Sequence, residues 1–90
     1  MKDTIWKLKL ATHGSTFVHI PLGYNVLKVA CDGGGNVSLW VMVDAGEKTD
    51  LVVFDVFATG ERVSNPQLAE YCGTAVQQTG LVWHVFRRMG

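Results

Sequence analysis

Apolar residues in this chain recur at every second position, the runs are cut by glycine, and helical spacing never persists for more than about one turn. Side chains on a strand alternate between its faces, so a chain written with period two must be sorted into strands. Residues 4–11 put Trp6, Leu8 and Leu10 on one face and Lys7 and Lys9 on the other, the pattern of a strand with one wet side. Residues 15–20 group Thr16, Val18 and Ile20 against Phe17 and His19, and Pro21 with Gly23 ends that strand. Residues 26–31 and 37–43 flank Asp32-Gly33-Gly34-Gly35-Asn36, the clearest hairpin loop in the chain. Residues 51–58 follow the polar turn 44–50, and residues 71–77 and 81–87 close as a hairpin around Thr79-Gly80. Asn65 before Pro66 offers an N-cap and a first helical position, enough for at most one short helical turn near 66–70. The expected fold is mainly β: one domain, residues 1–90, an antiparallel seven-stranded meander forming a small sandwich or incomplete barrel.

Three of these strands are apolar on both faces. Val37, Leu39, Val41 and Val43 oppose Trp40 and Met42; Leu51, Val53 and Phe57 oppose Val52, Phe54 and Val56; Leu81, Trp83 and Val85 oppose Val82 and Phe86. Apolar residues make up 48% of the 90, and charged ones 18%, below the roughly 25% of ordinary domains. One small core cannot cover both faces of three strands, and no long helix is written to cover the second. A homo-oligomer follows as an expectation, most simply a two-fold dimer.

Eight basic residues balance eight acidic ones, which excludes a dedicated nucleic-acid binder, since neutralising phosphates requires a basic excess. The balance is uneven along the chain: Lys2, Lys7, Lys9 and Lys28 against Asp3 open it, residues 31–70 are acidic, and Arg87 and Arg88 close it. No stretch has the length and apolarity of a membrane span, and residues 1–10 lack the continuous apolar core of a leader. Cys31 and Cys72 fit neither a disulfide framework nor a zinc pair and read as reduced, partly buried thiols, as in a cytoplasmic protein.

Motifs for chemistry are missing. Gly33-Gly34-Gly35 lacks the Lys-Ser/Thr pair of a phosphate loop. His13, His19 and His84 lack the spacing that aims two ligands from one strand, so no metal is expected. Ser15, Ser38, Ser64 and the cysteines carry no nucleophile elbow, and Asp55 within an apolar strand reads as paired with a lysine. No catalytic residue and no cofactor are therefore assigned. The candidates for binding are Lys28, which faces Trp40 if the third and fourth strands pair and would make a cation–π contact there, His84 between Trp83 and Val85, and Arg87 with Arg88 beside Phe86 as anchors for an anion.

Tyr71-Cys72-Gly73-Thr74 followed by Gly80-Leu81-Val82-Trp83-His84-Val85-Phe86, together with Leu39 to Asp44, Thr59-Gly60, Ser15-Thr16-Phe17 and Pro21-Leu22-Gly23, resembles a family of small bacteriophage and prophage proteins. The likeness spans nearly the whole chain, and Leu81 to Phe86 is its most specific part. Members of that family tend to carry His-Pro after the Thr-Gly turn, where this chain has Glu61-Arg62. The resemblance implies a single β-rich domain, a phage setting and no catalytic residues to carry over. The function expected from it is a non-enzymatic accessory protein in the cytoplasm of a bacterial host. It would act by binding, as a host-defence antagonist that blocks a host protein or sequesters a small anionic molecule. A minor virion or assembly component is the alternative. A small enzyme with its site at a subunit interface, drawing on His84 and Asp55, is the third reading.

Overall fold

Seven antiparallel strands form in the computed structural model, which describes residues 1–89: β1 (Thr4–Lys9), β2 (Ser15–Pro21), β3 (Asn25–Cys31), β4 (Val37–Val43), β5 (Thr49–Ala58), β6 (Ala69–Val76) and β7 (Val82–Arg88). They divide into a three-stranded sheet, order β1-β4-β3, and a four-stranded sheet, order β2-β5-β7-β6. The fold is thus mainly β, as the period-two pattern requires, and takes the form of two facing open sheets. Only β3–β4 and β6–β7 are neighbours both in sequence and in a sheet; between β1 and β2, β2 and β3, and β4 and β5 the chain changes sheets. The helical segment is a single 3-10 turn, Pro66–Leu68, with Asn65 at its N-cap in the left-handed region (φ 47) and no side-chain cap bond.

Splitting the strands between two sheets answers most of the excess apolar surface from within the chain. Val37, Leu39, Val41 and Val43 of β4 face Phe54 and Val56 of β5 and Trp83 and Val85 of β7 in one core, joined by Leu10, Ile20, Val29 and Ala75. The alternation on β1 and β2 holds, with Trp6, Leu8 and Val18 packed on the core and Lys7, Lys9 and His19 outside. The turns follow from local chemistry. The Asp32 carboxylate accepts the backbone N–H of Gly34 at 2.9 Å and of Asn36 at 3.0 Å, and Lys7 Nζ donates to it at 2.8 Å. Gly35 takes φ 81, which glycine adopts without steric cost. These bonds hold the Asp32 carboxyl well below the usual carboxylate range, the Lys7 ammonium contributing most.

One contact sets how the two sheets meet. β3 and β6, each the edge of its own sheet, pack against one another, and Val29 lies on Gly73 so closely that a Cβ at position 73 would stand 2.8 Å from Val29 Cβ and Cγ2. Gly73 is therefore needed for space. Gly73→Ala is expected to lower stability by about 1–3 kcal/mol through overpacking. Urea unfolding of the single variants and of Gly73→Ala combined with Val29→Ala checks this: the double variant should be more stable than the sum of the single losses predicts.

Candidate functional site

Both facing edges are bulged, β3 at Leu27 between Val26 and Lys28, and β6 at Cys72 between Tyr71 and Gly73. A bulge bends its strand and breaks the ladder locally, so the edges that touch at Val29 and Gly73 part beyond them. The result is a cleft of about 620 Å³ lined by Tyr24, Leu27, Lys28, Glu70, Cys72 and Arg87 among others. Arg87 Nε donates to Glu70 Oε1 at 3.1 Å, which aims the guanidinium along the cleft, where it also stands beside the Tyr24 hydroxyl. Lys2 Nζ donates to the carbonyl of Gly23 on the rim at 2.8 Å, bringing a third cation to the opening. Lys28 and Arg87 against Glu70 leave the lining with one net positive charge.

Burial controls the rest of this cleft. Tyr24 Oη is shielded from solvent with no hydrogen-bond partner among the described residues, and burial raises its pKa. The Cys72 thiol is pushed up to about 11, by burial first and by the Glu70 carboxylate second. It is a protonated, poorly nucleophilic group at neutral pH.

The outer face of the four-stranded sheet carries two hydrogen-bonded chains. Thr59 Oγ1 meets His84 Nε2 at 2.8 Å, His84 Nδ1 meets Thr74 Oγ1 at 3.1 Å, and Thr74 Oγ1 is bonded in turn to the Tyr71 hydroxyl. Arg88 donates from Nε to Asp55 Oδ2 at 3.1 Å and from Nη2 to Asp55 Oδ1 at 2.8 Å and Ser15 Oγ at 3.0 Å, while Ser15 donates to Asp55. Around them Phe86 packs edge to face on Phe57 and Tyr71, with ring centroids 5.9 and 5.6 Å apart. Beside the second chain lies another cleft, about 560 Å³, lined by Ser15, Asp55, Phe57, Glu61, Ser64, Asn65 and Arg88 among others.

The five residues singled out from the sequence thus fall in three places. Lys28 and Arg87 meet at the first cleft; Trp40 lies on the outer face of the three-stranded sheet; His84 and Arg88 belong to the outer face of the other sheet. Lys28 does pair with Trp40 in register, but the ammonium over the indole is that of Lys7, 5.7 Å from the ring centroid. The reason is that β4 is flanked on both sides, and Lys7 of β1 is the other cross-strand partner of Trp40. Asp55 is paired with Arg88 and not with a lysine. Tyr24, Glu70 and Cys72 were not legible as site residues, because the cross-strand pairing of Glu70 with Arg87 is needed to see them.

Among the described residues no three His, Cys, Asp or Glu side chains cluster as metal ligands, and no helix is long and apolar enough to cross a membrane. A family model described as a domain of unknown function (DUF7352) matches residues 1–90. No curated protein and no solved structure matches the chain.

With its pKa near 11, Cys72 should hold only about one thiolate in a thousand at pH 8. In a Cys31→Ser background, alkylation by iodoacetamide followed by mass spectrometry should be slow at pH 8 and still rising with pH above 10. Glu70→Gln should increase the rate at pH 8, since it removes the carboxylate that disfavours the thiolate.

Proposed function

The chain belongs to the DUF7352 family, a domain of unknown function, and we propose that it acts by binding, holding a small anionic molecule in the cleft between the β3 and β6 edges. The observation that carries this reading is the convergence of Lys28 and Arg87 on one opening of about 620 Å³, with Arg87 already oriented by Glu70. An oriented guanidinium loses little freedom on meeting a carboxylate or phosphate, and bonds to ionised groups are the strong ones. Binding without turnover is supported by the state of the reactive groups: the Cys72 thiol is held protonated, and both ring nitrogens of His84 are engaged by threonines. In the phage or prophage setting that the motif likeness suggests, sequestering an anionic signalling molecule in the host cytoplasm is the role this cleft fits.

A second observation favours self-association. Phe17 (61% exposed), Leu51 (51%), Tyr71 (60%) and Val76 (62%) stand out from the four-stranded sheet around the Phe57–Phe86 pair. Asp55 and Arg88 on that face neutralise each other, so two copies meet there without like-charge repulsion. The other outer face carries Lys9 and Lys28, neither in an ion pair among the described residues, and a two-fold pairing would set these charges together.

Calorimetric titration with inorganic phosphate and pyrophosphate tests the first reading. At least one should bind, with an affinity that falls as salt rises, and Lys28→Ala and Arg87→Ala should each weaken it roughly ten- to hundredfold, the worth of a hydrogen bond to a charged group. Unchanged affinity in both variants overturns the assignment. For the second, light scattering at about 100 μM should return twice the 9.9 kDa chain mass, and Phe17→Glu should return a folded monomer.

A further inference from the structure

The cleft beside Arg88 has a chemistry unlike that of the first, and we infer that it is a separate site for a neutral, hydroxyl-rich ligand of the saccharide class. Its lining combines Asp55 and Glu61 with the single cation Arg88, a net charge of minus one, so it repels the anions that the β3–β6 cleft attracts. An isolated cation gains little there either, because the Arg88 guanidinium already stands against both oxygens of Asp55 and would repel it. Asp55 takes two bonds from Arg88 and one from Ser15, and Glu61 Oε1 accepts the backbone N–H of Ala58 at 2.9 Å.

What remains is a set of donors and acceptors held in fixed directions. The Arg88–Asp55–Ser15 cluster is cross-braced by four bonds, so neither partner must be ordered when a ligand arrives. A sugar hydroxyl both donates and accepts, and adjacent hydroxyls match a guanidinium placed beside a carboxylate. Asn65 adds an amide that makes no capping bond to the 3-10 turn, held on a left-handed residue (φ 47) at the cleft wall. Ser64 adds a hydroxyl next to it.

The apolar side of such a ligand has its counterpart too. Phe57 lines the same cleft and is fixed edge to face against Phe86, which leaves its ring as a rigid wall. The C–H face of a pyranose packs on an aromatic face while its rim of hydroxyls reaches the polar groups. A volume of about 560 Å³ accommodates a disaccharide and lies within the usual ~300–1,000 Å³ of small-ligand pockets. The site shares no lining residue with the anion cleft, but its Asp55, Phe57 and Arg88 belong to the face proposed for self-association, so the sugar and a second copy compete for it.

Amide chemical-shift mapping of the whole chain, titrated with maltose, cellobiose, lactose and chitobiose at millimolar concentration, tests the assignment. Glucose 6-phosphate and spermidine serve as the anionic and cationic comparisons. The expected result is that at least one neutral disaccharide shifts the amides around Phe57, Ser64, Asn65 and Arg88. Asn65→Gly, which keeps the left-handed backbone and removes only the amide, and Phe57→Leu, which keeps an apolar side chain, should each weaken binding roughly fivefold. The inference is overturned if none of the four disaccharides shifts these amides, if spermidine or glucose 6-phosphate shifts them at lower concentration, or if either variant retains full affinity. Failure here leaves the phosphate titration of the other cleft unaffected.

Discussion

The close seating of Val29 on Gly73 decides how the two sheets of this protein meet. Each sheet ends in an unpaired edge on that side, β3 in one and β6 in the other. Where a residue without a side chain faces a β-branched one, the edges touch and the core between Leu39, Phe54 and Val85 is sealed. Where the bulges at Leu27 and Cys72 turn the strands aside, the same edges part and a cleft opens. Closure and opening are two consequences of one seam. The bulges also blunt both edges against pairing with other strands, a device by which sheet proteins protect exposed edges.

Polar groups in this chain are largely consumed by one another, and that shapes the surface that remains. Asp32 binds its own loop and Lys7; Glu70 holds Arg87; Asp55 holds Arg88 and Ser15; His84 is spanned by Thr59 and Thr74. Surface ion pairs of this kind contribute little to stability in water, typically below about 1 kcal/mol each. Their consequence here is geometric: long side chains that would otherwise sample many rotamers are fixed along the clefts and the outer face. With its charges cancelled, the outer face of the four-stranded sheet presents mainly the apolar surface of Phe17, Leu51, Tyr71 and Val76.

The two clefts show how a chain of zero net charge can offer sites of opposite character. One collects a basic excess from Lys28 of the bulged β3 and Arg87 on the inward side of β7; the other collects an acidic excess from β5 and the loop after it. Arg87 and Arg88 are neighbours in sequence, and strand alternation sends one to each. Two consecutive arginines thereby serve different surfaces of one small sandwich.

Strand identity and facing were legible from the residues alone: Lys7 and Lys9 point outward, Val37, Leu39, Val41 and Val43 turn into the core, and Asp32 to Asn36 closes a hairpin. These are local properties, set by the parity of the pleat and by turn chemistry within a few residues. The same parity correctly placed Lys28 across from Trp40, yet it could not show that Lys7 on the far side would be the cation over that ring. Nor could it find Arg88 for Asp55, 33 positions away, or Glu70 for Arg87, 17 positions away. Which strands share a sheet, and which edges face across the sandwich, depends on pairing between distant segments. That pairing is decided by how all seven strands cover one core together, and so the clefts exist only at the level of the tertiary structure.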